Sequence, residues 1–172
     1  MARELNGEIL IEAPKERVWE AIGDFGNTYL WNPAVVHSHS TSKARDGVGA
    51  TRHCDLTISN SSIEERVLDW VENEQLLVEI YDGRRTPPFK EAWGKFTLEE
   101  LPDGGGTLTK AQIHYELKYG ILGGAIDRFM VRPQYGKGLK LALAGLKYHV
   151  ETGKLVEKGT RVPVDKVSLI TA

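Results

Sequence analysis

A single cysteine, Cys54, stands in a chain of 172 residues, which excludes an intrachain disulfide and fits a reducing compartment. No apolar run approaches the roughly eighteen residues that a membrane-spanning helix needs. The first ten residues carry Arg3, Glu4 and Glu8 and have no apolar signal core. Positive charge is not in surplus either. The formal net charge is −2 and Arg84-Arg85 is the only adjacent basic pair, so no electrostatic footprint for nucleic acid is present. Internal repeats and low-complexity tracts are missing. His37 and His39 share a strand face, and a third ligand could complete a metal site there, but no Cys or carboxylate cluster has the spacing. Neither a metal nor a cofactor is expected. The 41% hydrophobic and 27% charged fractions are those of an ordinary folded domain. One domain, residues 1–153, followed by a tail at 154–172, is the expected organisation, with the cytosol as the expected compartment.

The pattern that is present starts with a short strand at residues 8–12, stopped by Pro14. Pro14 opens a helix at its first turn, where the missing N–H costs nothing. Val18, Ala21 and Ile22, joined by Trp19, form its inward stripe, and Gly23 and Gly26 end it. A second short helix is expected at 27–31, before Pro33. Six strand patterns follow at 35–40, 50–58, 62–71, 76–81, 89–98 and 107–117. Turn chemistry such as Asp46-Gly47, Asp82-Gly83 and Asp103-Gly104-Gly105-Gly106 separates them. Gaps this short make neighbouring strands antiparallel. A long helical segment at 122–151 closes the chain. Pro133 should kink or break it near Arg132, which sets the straight portion between Gln134 and Gly153. The sum is an α+β protein, a seven-stranded antiparallel sheet wrapped around a long C-terminal helix, with two short helices after the first strand.

Leu139, Leu143, Leu146 and Val150 fall on one face of the closing helix, with Ala142 beside them. Ala142, Ala144 and Gly145 interrupt that face with small side chains. A helix of this kind cannot fill the space beneath its middle. Either bulky strand residues fill it, or it is a pocket.

Several segments in this order carry a family likeness. Ile9-Leu10-Ile11-Glu12-Ala13-Pro14-Lys15-Glu16-Arg17-Val18-Trp19 comes first, followed by Asp24-Phe25 and Trp31-Asn32-Pro33. Gly49-Ala50-Thr51-Arg52 and Ile63-Glu64-Glu65-Arg66-Val67 continue it, and Gly105-Gly106-Thr107 and Gly145-Leu146-Lys147 complete it. Together they resemble the START-like or helix-grip superfamily, which includes polyketide cyclases and dehydratases, lipid-transfer proteins, coenzyme Q-binding proteins and birch-pollen-allergen relatives. The likeness spans about residues 5–152 and omits the tail. It implies a cavity between the curved sheet and the last helix, holding an apolar small molecule. It does not imply a reaction, so function has to be argued from the site.

Alternation puts Arg52, Cys54 and Leu56 on one face of the third strand, and Ile63, Glu65 and Val67 on one face of the fourth. Pairing the two strands brings Arg52 near Glu65 on the concave side. A buried charge needs a partner, and both a structural ion pair and a pair that orients a ligand's polar group fit. Trp31, Tyr81, Phe96 and Tyr115 are the aromatics expected at a cavity, with Phe89 in an entrance loop at 82–89. Leu139, Ala142, Leu143 and Leu146 would face it from the helix. Cys54 reads as a small buried apolar residue. No histidine has a serine or cysteine neighbour that would make a nucleophile and its base, and His114 lies on a face that looks solvated.

The expected function is a carrier or sensor of a hydrophobic small molecule, a lipid, an isoprenoid or a polyketide-like compound. A cyclase or dehydratase would draw its acid or base from Arg52, Glu65 and Tyr115. A partner-binding module would use the loop at 84–89 and the tail, where a strand at 164–170 could pair across a homodimer.

Overall fold

Among the described residues eight strands form one antiparallel sheet in the order β2-β3-β4-β5-β6-β7-β1-β8. The computed structural model describes residues 2–58, 60–118, 124–125, 127–157 and 159–170. The strands are β1 (Ala2–Ile11), β2 (Val35–Ser40), β3 (Thr51–Leu56), β4 (Ser62–Val71), β5 (Gln75–Arg84), β6 (Phe89–Glu100), β7 (Thr107–Leu117) and β8 (Ser168–Ile170). Helix α1 (Lys15–Gly23) and a 3₁₀ segment (Phe25–Leu30) follow β1, as the pattern at 14–31 predicts. Pro14 is the N-cap of α1 rather than a residue inside it.

The first strand is twice as long as its apolar signal. It pairs with β7 from Ala2↔Glu116 to Ile11↔Thr107. Period two holds throughout, with Leu5, Gly7, Ile9 and Ile11 facing inward, but charged residues and Gly7 hide it at the start. Gly7 is where the long helix comes closest: a Cβ there would lie 3.1 Å from Leu143 Cδ1.

That helix, α2 (Arg132–Thr152), is preceded by one π-type turn, Asp127–Val131. Pro133 lies in the first turn of α2, where its missing N–H had no partner to lose. The helical path changes from π-type to regular α at Arg132, the position where the proline was expected to break it, and the regular helix begins two residues before the expected Gln134. The expected onset at Leu122 lies outside the described residues. At the other end Gly153 adopts the left-handed conformation, φ 67°, and donates its N–H to the His149 carbonyl at 2.8 Å.

The small residues of α2 are buried in the core, and at Gly145 they mark a contact and not a gap. A Cβ on Gly145 would fall 2.1 Å from the Trp31 carbonyl oxygen and 2.7 Å from Pro33 Cδ. Here the expected opening is closed by backbone: the segment after the 3₁₀ turn is pressed against α2. Around it Ile9, Ile11, Val18, Ile22, Phe25, Leu143 and Leu146 are fully buried.

The tail belongs to the same core. Val156, Val162 and Val167 are buried in it, and Val156 N–H donates to the Leu30 carbonyl at 2.9 Å. The eighth strand pairs Ser168–Ile170 with Glu8–Asn6 of β1, so the tail's strand is paired within its own chain. No helix among the described residues is long and apolar enough to cross a membrane.

Candidate functional site

The registers line up the concave face in rows. One row runs Val67, Val78, Gly94, Ile113, Leu5 across β4, β5, β6, β7 and β1. It is wholly apolar. A second runs Arg52, Glu65, Ile80 across β3 to β5 and resumes as Ala92, Tyr115, Arg3 across β6, β7 and β1. Charged and phenolic groups thus stand at both ends of a row whose middle is apolar.

The face is not packed throughout. Two buried clusters sit on it. The larger holds Phe25, Leu143 and Leu146, and the smaller holds Ala92, Tyr115 and Val131. Among the described residues Leu5 and Ile113 border both. Between the clusters Ile80, Gly94, Phe96 and Ile113 point inward yet are only half-buried. A Cβ on Gly94 would make only ordinary contacts, with Val78 Cγ2 at 3.8 Å and Gln112 O at 3.9 Å, so the inner face does not exclude a side chain there. An inward-facing apolar residue that keeps accessible surface marks space its neighbours do not fill. We call this region the hollow.

At one end of the second row Arg52 Nε donates to Glu65 Oε2 at 2.6 Å, and Arg52 NH1 donates to the Phe25 carbonyl at 2.8 Å. The guanidinium also lies 4.1 Å over the Phe25 ring. Burial is the largest single influence on Arg52 and would lower its pKa, but Glu65 and Cys54 beside it together bring the net shift upward. Cys54 donates its thiol to the same Glu65 oxygen at 3.4 Å. Burial pushes that thiol up despite the nearby arginine, so it stays protonated and inert, the small buried residue the sequence suggested.

At the other end the Tyr115 hydroxyl donates to Asp127, and Arg3 Nε lies 3.0 Å from the second Asp127 oxygen. Burial, reinforced by Asp127, raises the Tyr115 pKa. Tyr115 also belongs to an aromatic group with Phe89 and Tyr135, ring centroids 5.7 to 5.9 Å apart. Burial raises the Tyr135 phenol as well. Asp127 and Arg3 were not among the sequence candidates. Arg3 is in phase with Leu5, Ile9 and Ile11, so a longer first strand would have revealed it; nothing in the sequence marked Asp127.

The structure brings Phe89, Phe96, Tyr115, Arg52 and Glu65 to the concave face, with Leu139, Ala142, Leu143 and Leu146 buried opposite on α2. Trp31 packs in the larger cluster. It is 4% exposed, its indole N–H donates to the Ala21 carbonyl at 3.0 Å, and its ring meets Phe96 edge-on. A buried indole needs such an acceptor, and its contact with Phe96 keeps it beside the inner face. Tyr81 is the extra residue of a β-bulge between the partners of Glu64 and Glu65. Alternation from Leu76, Val78 and Ile80 already puts it on the outer face, where the Arg66 guanidinium lies 4.6 Å from its half-exposed ring. Also on the outer face, His114 is more covered than its solvated neighbours implied, stacked on Trp93 with centroids 4.7 Å apart.

His37, His39 and His53 stack in a row across β2 and β3 on that outer face. Among the described residues no group of His, Cys, Asp and Glu has the geometry to hold a metal ion.

A sheet curled around a terminal helix, with short helices at one end and a partly open apolar face beneath, defines a helix-grip protein. The chain belongs to the polyketide cyclase / dehydrase and lipid transport family, whose model matches residues 2–151. No curated protein sequence matches it. Among solved structures it is similar to the Zhui aromatase/cyclase of Streptomyces sp. R1128, with a TM-score of 0.73 and 12% identity over 88% of this chain and 94% of that one. It is similar to a START superfamily protein of Mycobacterium smegmatis, with a TM-score of 0.66 and 19% identity over 90% and 98%. The ginseng (Panax ginseng) major latex-like protein 151 gives 0.70 and 14% over 86% and 97%. At these identities the likeness is one of fold.

Proposed function

We propose that the chain carries or senses a hydrophobic small molecule of lipid, isoprenoid or polyketide-like character, held in the hollow beneath α2. The observation that carries this reading is the accessible inner face at Ile80, Gly94, Phe96 and Ile113, and membership of a family named in part for lipid transport supports it. Affinity would come from buried apolar area, about 25 cal/mol per Å² before the costs of association.

A cyclase or dehydratase working in the same hollow would need an uncommitted acid or base. Glu65 already accepts from Arg52 and Cys54, and Tyr115 already donates to Asp127. Both groups are engaged within the protein, which favours carriage over turnover.

Gly94→Phe is the direct test. A Cβ at this position makes only ordinary contacts, at 3.8 and 3.9 Å, so the chain should still fold, as its melting curve will report, while the added ring takes the space of a ligand and binding is lost. Binding is read by native mass spectrometry and by thermal shift across a panel of fatty acids, isoprenoids and polycyclic aromatics. A wild-type chain that takes up nothing from the panel, or a Gly94→Phe chain that binds as the wild type does, would overturn the reading.

A further inference from the structure

The π-type turn before α2 presents two large apolar side chains to solvent, with Phe129 75% and Met130 66% exposed. They are not on a loose segment. Asp127, at the start of the turn, is fixed by Tyr115 and Arg3, and Val131, at its end, is buried in the smaller cluster. The turn is held from both sides, and what lies between is pushed outward.

Basic residues predominate in the stretch that follows it. From Arg128 to Val150 the sequence contains Arg128, Arg132, Lys137, Lys140 and Lys147 and not one Asp or Glu. Lys147 is taken by Glu151. Arg128, Arg132 and Lys137 are exposed and Lys140 half-exposed, and none of the four is in an ion pair with a carboxylate among the described residues. They line a groove of about 440 Å³ together with Leu169 and Ile170 of β8, which are 41% and 49% exposed. Glu4 also borders the groove, 3.6 Å from His114. Against a chain whose formal net charge is −2, this is a local concentration of positive charge beside protruding apolar tips.

We propose that this face, Phe129 and Met130 with Arg128, Arg132, Lys137 and Lys140, docks the protein on an anionic lipid bilayer. Adjacent apolar side chains that protrude from a fixed turn suit insertion at the headgroup boundary, and basic residues beside them meet anionic headgroups at about 1 kcal/mol each. An acidic protein partner would use the same charges, but gains little from two apolar tips that stand out instead of forming a flat or concave patch. The proposal does not depend on a ligand in the hollow, so either reading can fail while the other stands.

The full chain is sedimented with vesicles of phosphatidylcholine alone and of phosphatidylcholine mixed with phosphatidylglycerol. Binding is expected to the mixed vesicles and to weaken as salt rises. Arg128→Gln with Arg132→Gln should weaken it about 30-fold, at about fivefold for each charge removed. Phe129→Ser with Met130→Ser should abolish it at all salt concentrations, with the melting temperature unchanged because both side chains are exposed. Absence of binding to the mixed vesicles overturns the proposal, as does equal binding by either double variant. Self-association that Phe129→Ser with Met130→Ser abolishes, without vesicle binding, also overturns it and assigns the face to a second copy of the chain.

Discussion

Arg52 shows how far a single position can be argued from alternation. Its phase in β3 and that of Glu65 in β4 put the two charges together, and they pair at 2.6 Å. The second bond, to the Phe25 carbonyl, could not be read that way, because the 3₁₀ segment reaches β3 only through tertiary packing. With that bond the pair fastens three elements, and its structural duty is filled before any ligand arrives. Arg52→Met leaves the buried Glu65 carboxylate without a counter-charge, with only the Cys54 thiol as donor, and should cost about 3–5 kcal/mol in urea unfolding. Adding Glu65→Leu should recover most of that loss, since two apolar side chains need no desolvation of charge. A double variant as unstable as the single one would show that the Phe25 bond, not the ion pair, holds the region. His53 makes a different case. It sits between Glu64 and Asp55, with His39 stacked beside it, and the bond to Glu64 outweighs a small desolvation and raises its pKa. A folded-state pKa above the ordinary value of about 6.5 makes the protonated form the stabilising one. That contribution is complete below the ordinary value and disappears as pH rises through the raised one. Unfolding free energy should therefore fall with pH across this window, and His53→Gln should flatten the slope.

Among the elements, α2 carries most of what the sequence could and could not say. Its apolar face, its C-terminal glycine and its position as the closing helix follow from periodicity. The meaning of its small residues does not. Ala142, Ala144 and Gly145 look alike as gaps in a stripe, but Gly145 is there because the Trp31 carbonyl occupies the place of its side chain. Only the approach of another segment tells a gap from a contact. The hollow instead lies over Gly94, a residue that in a strand pattern reads as a weakness. One substitution separates these cases within a single helix. Gly136→Ala and Gly138→Ala meet nothing within 4 Å and should each stabilise the protein by about 1 kcal/mol through helix propensity. Gly145→Ala should reverse the sign and cost about 1–3 kcal/mol, the range for overpacked cores, because backbone must move. Thermal unfolding of the three variants checks both directions at once.

For the molecule as a whole, the order of elements was legible because each strand carries its own alternation and each short gap forces an antiparallel neighbour. The tail was not, since Val156, Val162 and Val167 follow no period and declare themselves only by what they touch. All three are at least 92% buried, and β8 covers the edge of β1 from Asn6 to Glu8. The segment after α2 is therefore part of what holds the helix on the sheet. Truncation after Gly153 should remove roughly 4–5 kcal/mol, at about 1.5 kcal/mol for each buried valine. Against a total of about 5–15 kcal/mol for a typical domain, that brings the shortened chain close to the limit of folding. It would also leave the β1 edge unpaired, so association through that edge should accompany the lower melting temperature. An unchanged melting temperature and a monomeric mass after truncation would mean that α2 grips the sheet without help, and that the three valines are covered rather than covering.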